Sequence, residues 1–84
     1  MKLPIIKHIN SFVKENDIDY VHETVEVLEH LAESTALKDE ELEVLGELVS
    51  NLYGAIEVNK LIKEGMSEKE AGNAFMKRVM GSIN

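Results

Sequence analysis

The sequence predicts an all-α fold: a compact four-helix domain with one long helix over about residues 39–64, in a protein that associates with copies of itself. Three observations carry the fold class. Apolar residues recur with a period near 3.6 in four successive stretches, and no stretch alternates as a strand would. The 26 residues from Asp39 to Glu64 contain no proline. A capping-box pattern, Ser67-Glu68-Lys69-Glu70, then opens a further helix. The 84 residues make one domain, 1–84, with helices expected over about 4–15, 18–33, 39–64 and 68–80.

Each element has a local reason. Pro4 suits the first turn of a helix, where its missing N–H would have no partner. Ile5, Ile6, Ile9, Phe12 and Val13 then share one stripe, with Lys7, Ser11 and Lys14 opposite. Asp17 or Asp19 can cap the second helix. Its apolar set is Tyr20, Val21, Thr24, Val25, Val27, Leu28, Leu31 and Ala32, and its other face holds His22, Glu23, Glu26, Glu29, His30 and Glu33. Residues 34–38 connect it to the third helix, which Asp39 can cap. Glu40, Glu41 and Glu43 crowd the start of that helix, where its dipole favours negative charge. Gly65 is expected to end it in the left-handed region. Ser67 and Glu70 cap the fourth helix, Ala71, Gly72, Phe75, Met76 and Val79 line its inner face, and Gly81 stops it. Residues 82–84 are expected to fray.

The long helix carries the signal for assembly. Gly46, Ser50 and Gly54 stand at i, i+4 and i+8 in one stripe. A glycine inside a helix costs about 1 kcal/mol relative to alanine, so the pair points to close approach of another backbone. Gly72 is expected at a similar crossing. Leu42, Leu45, Leu48, Val49, Leu52, Ala55 and Ile56 make a first apolar face, with Val44 and Tyr53 at its edges. Beyond Glu57 the face turns away, through Val58, Leu61 and Ile62. One helix then serves two neighbours, unless a kink near Gly54 realigns it. With Met76 and Met80, the turned face would build a second apolar surface. The expected interface is therefore Gly46, Ser50, Gly54, Val58, Leu61, Ile62, Met76 and Met80, with a homodimer as first choice.

Composition narrows the function. There is no cysteine, hence no disulfide framework and no thiolate metal site, and no cofactor is expected. Lys7, His8 and Asn10 interrupt the start, so a signal peptide is not expected. No run approaches the length of a membrane span, and a cytoplasmic location is the default. Net charge is −7, unevenly spread: residues 1–14 hold three lysines and no acid, residues 15–57 a net −12, residues 58–84 a net +2. The acidic middle opposes nucleic acid and anionic membranes, and suits self-docking on the basic ends or a basic protein client, although solvated helix faces that keep a small protein soluble are the simpler account.

Two patterns invite sharper readings. His22, Glu26 and His30 share a helix face at a spacing that suits a divalent metal. That face is the polar one, and simple His–Glu pairing accounts for it. The Gly65-Met66-Ser67 turn within residues 56–80 has helix-turn-helix spacing, with Asn73, Lys77 and Arg78 on its second helix. Its leading residues Glu68 and Glu70 would meet phosphates badly, so an ordinary helical hairpin is the simpler account. No nucleophile–base motif or phosphate loop is evident, and the chain is expected not to be an enzyme.

Residues 1–8, 37–42, 51–58 and 63–71, with Phe75-Met76-Lys77-Arg78-Val79, together resemble a small family of uncharacterised acidic bacterial proteins of about this length. The resemblance covers almost the whole chain and implies no catalytic residues. It implies an accessory role beside thioredoxin-like and peroxide-reducing proteins, exercised by binding, since this chain has no thiol.

Overall fold

The computed structural model describes residues 1–81. Four helices make up the fold: α1 (Leu3–Glu15), α2 (Asp19–Leu31), α3 (Asp39–Lys63) and α4 (Glu68–Gly81), with no strand among the described residues. α4 is described as far as Gly81, and both the expected stop there and the expected fraying of residues 82–84 turn on residues outside those described.

The helix ends follow from local hydrogen bonding. The Glu41 carboxylate accepts the Lys38 backbone N–H at 2.9 Å, so Lys38, not Asp39, is the capping position of α3. Asp39 instead joins the acids of the first turn. The capping position of α2 is Ile18 rather than Asp17 or Asp19, and Asp17, one residue outside it, accepts the Asp19 N–H on its Oδ1 at 3.0 Å. α2 ends at Leu31, two residues early, where Glu33 and Ser34 bond back into single turns. At the far end of α3, Gly65 has φ 113°. The Gly65 N–H reaches the Ile62 carbonyl and the Met66 N–H the Leu61 carbonyl, a complete Schellman stop. Ser67 and Glu70 bond reciprocally at 3.1 Å, as the capping box requires.

α3 runs unbroken through Gly54 and is the spine on which the other helices lie. α1 runs parallel to its second half. The Lys2 backbone N–H donates to Asn51 Oδ1 at 2.8 Å, Ile6 lies on Gly54, and Asn10 lies beside Val58 and Ile62. α4 returns over the same half, placing Ala71 and Phe75 against Ile6, Ala55 and Val58. α2 runs antiparallel to α3, so His22 meets Asn59 and Lys60 while Leu31 meets Val44 and Leu48. Tyr53 Oη donates to Glu29 at 2.8 Å across this pair, and that bond raises the pKa of the phenol.

Two glycines mark close crossings. A Cβ at Gly54 would come within 2.6 Å of Ile6 Cδ1, and one at Gly72 within 3.2 Å of Leu3 Cδ1. Gly46 does not: nothing lies within 4 Å of a Cβ placed there, because α1 begins only level with Asn51. Ser50, between them, is half-buried. The first helix also buries a different stripe from the one its apolar residues suggest. Ile6, Asn10 and Val13 face inward, while Ile5 and Phe12 are exposed. Phe12 instead meets the edge of Tyr20, with ring centroids 5.6 Å apart.

The result is a slab of 42 × 35 × 17 Å. Its radius of gyration, 13.7 Å, exceeds the roughly 12 Å of a compact chain of this length.

Candidate functional site

The apolar face that turns away after Glu57 is covered inside the chain. Val58 is buried, and Leu61, Ile62 and Met76 pack half-buried against the Ile6–Phe75 core. The reason is α4: the Gly65 stop folds it back onto the side of α3 that these residues occupy. The expectation that this surface needs a second molecule gives way here. Gly54 and Val58 lie within the core, and of the expected interface residues Gly46 and Met80 are exposed.

The uncovered apolar surface lies at the other end of the spine. α2 carries a stripe wider than one neighbour can bury, and only Val21 and Val25 are buried. Farther along, Val27 and Leu31 remain exposed. The first three turns of α3 extend past the start of α1 and present Val44, 57% exposed, and Leu48, 48% exposed. Leu31, Leu37, Val44, Leu45 and Leu48 line a shallow groove of about 380 Å³ between the two helices. Only Glu40 and Glu41 add polar groups to it. Every one of these apolar residues was visible in sequence except for its exposure. The signal was the second helix: seven positions of its apolar set on thirteen residues exceed what one antiparallel partner covers.

The remaining candidates are placed as follows. His22, Glu26 and His30 are all exposed on α2. Among the described residues no three His, Asp or Glu side chains gather to hold a metal ion. His30 Nδ1 instead lies 3.4 Å from its neighbour Glu33. On α4, Arg78 is held by Glu57 at 3.1 Å on α3. Glu70 is held by Ser67, whose N–H and hydroxyl bonds keep its carboxyl below the usual range. The second helix of the supposed helix-turn-helix thus commits its arginine to packing within the chain. No helix among the described residues is long and apolar enough to cross a membrane.

Residues 1–84 match the model of a family described as a family of unknown function, DUF6952. No curated protein and no solved structure matches the chain.

Proposed function

We propose, for a chain that belongs to the family of unknown function DUF6952, a non-enzymatic interaction protein that works as a homodimer. The two copies meet through the open face of the α2–α3 hairpin. The observation that carries this reading is the row Leu31, Val44 and Leu48, each more than two-fifths exposed over an apolar groove. Patches of this kind are found on soluble proteins chiefly where something docks.

The surface area supports a second copy as the occupant. A compact monomer of 9.4 kDa exposes roughly 5,000 Å². This chain exposes 6108 Å². The excess, about 1,100 Å², exceeds the roughly 800 Å² that each partner contributes to a standard interface. A two-fold pairing of hairpins would complete a four-helix bundle around Leu31, Val44 and Leu48. The accessory role beside thiol-redox proteins, which the family resemblance implies, would be exercised by contact alone.

Charge distinguishes this from the other occupant the face suits. Glu40, Glu41 and Glu43 border the face, so two copies bring acidic rims together and salt strengthens their association. An amphipathic helix with basic flanks would complement the same rim, and salt would weaken its binding. Sedimentation equilibrium across a salt series tests the dimer on the wild-type chain and on Leu48→Asp. The expected result is a dimer at micromolar concentration that tightens with salt, and a monomeric variant. A wild-type monomer throughout that range overturns the reading.

A further inference from the structure

One buried side chain in the α1–α3–α4 unit is left without a partner. Asn10 is 8% exposed, on the inner stripe of α1 between Ile6 and Val13. Neither its Oδ1 nor its Nδ2 has a hydrogen-bond partner among the described residues. An unpaired buried carboxamide is costly, and leucine has nearly its size and would continue the stripe.

Two grooves meet at Asn10, whose carboxamide atoms are themselves closed to solvent. One, of about 660 Å³, lies along the ends of α1 and α3 and reaches Asn59 and Lys63. The other, of about 410 Å³, lies between α1 and α4 and takes in Lys7, Lys69 and Asn73. Asn10, Lys14, Ile62 and Glu68 line both. Lys14 follows Asn10 by one turn on the same face of α1. It pairs with Glu68 at 2.7 Å, and both side chains are more than half exposed. The ion pair therefore stands between the grooves, at the edge of the unpaired amide.

We infer that Asn10 and the lysines around it form a binding site for a nucleoside monophosphate. Each groove has the volume of a small-molecule site. A carboxamide offers a donor and an acceptor side by side, the complement of a nucleobase edge. Val58 and Ile62 supply an apolar wall for the ring. In the α1–α4 groove Lys7, Lys14 and Lys69 supply point charges for the phosphate against Glu68 alone, whereas in the other groove Glu15, Asp17 and Glu68 outnumber Lys14 and Lys63. An exposed ion pair opens readily, so the phosphate takes Lys14 from Glu68 and the base reaches Asn10. This site shares no residue with the α2–α3 face and stands or falls separately from the dimer.

Isothermal titration of the full chain with AMP, GMP, CMP and UMP tests it, with the matching nucleosides and inorganic phosphate as partial ligands. At least one nucleotide binds, and its nucleoside and phosphate alone bind about tenfold more weakly or worse. Asn10→Leu lowers that affinity by about tenfold or more while melting no earlier than the wild type. Glu68→Gln, which releases Lys14, tightens binding, and Lys14→Gln weakens it. Failure of all four nucleotides to bind overturns the site, as does unchanged affinity in Asn10→Leu. Should Asn10→Leu not fold, the Glu68→Gln and Lys14→Gln pair decides, and unchanged affinity in both overturns the site.

Discussion

Replacing Gly46 and Gly54 by alanine, one at a time, should move stability in opposite directions. Both residues sit inside α3, where alanine is favoured over glycine by about 1 kcal/mol. At Gly46 that gain stands, because nothing lies within 4 Å of the added methyl. At Gly54 the methyl would lie 2.6 Å from Ile6 Cδ1, 3.2 Å from Ile6 Cγ1 and 3.3 Å from Phe75 Cζ. The end of an isoleucine could ordinarily swing aside, but Ile6 is 0% exposed and walled in by Ala55, Val58, Ala71 and Phe75. Overpacking of this kind costs typically about 1–3 kcal/mol. Set against the propensity gain, the net loss is up to about 2 kcal/mol. An 84-residue domain unfolds with an entropy that converts 1 kcal/mol into about 6 °C. G46A should therefore melt about 3–6 °C higher and G54A up to about 12 °C lower than wild type. Thermal melts by far-ultraviolet circular dichroism check this, at one fixed protein concentration because association shifts the midpoint. A G54A variant that melts above wild type, as G46A does, would refute the reasoning, since it would mean the core around Ile6 yields freely.

Two further predictions concern single polar contacts. Asn51, buried on α3, accepts the Lys2 N–H and donates to the Glu47 carbonyl at 2.9 Å, so it anchors the start of α1. Asn51→Ala should lower stability by about 1–2 kcal/mol in urea unfolding, and an unchanged midpoint would remove the anchor role. The Glu70 pKa is lowered by its bonds to Ser67, so its contribution is present above the unfolded carboxyl pKa and lost as pH falls through the lower, folded one. Glu70→Gln should then be less stable than wild type at neutral pH and converge with it in acid. Parallel curves over that range would show that the carboxylate plays no part.

The four helices were legible in the sequence because their causes are local. Pro4, the Ser67–Glu70 box and Gly65 act through hydrogen bonds and dihedral preferences within a few residues, and all three stand where the pattern places them. The rotation of the α3 face after Glu57 was also legible: Val58, Leu61 and Ile62 pack with the α1–α4 core, while α2 stays beside α3 on another side as far as Asn59 and Lys60. Phe12 was misplaced, and the buried Asn10 went unassigned, for one reason. A helical wheel ranks positions by polarity, whereas the parallel run of α1 along α3 decides which stripe meets the spine.

By itself, the chain determined its helices, the Gly65 stop and Ser67–Glu70 cap, and the small residue at the Ile6 crossing, since each depends on neighbours in sequence or on a helix's own cost. Only the tertiary structure decided which apolar faces are shut and which stay open. That choice depends on where α1 begins along α3 and on which side α4 returns. Burial is a property of surfaces brought together from distant parts of the chain, and Val58 and Val44 look alike until those distances are set.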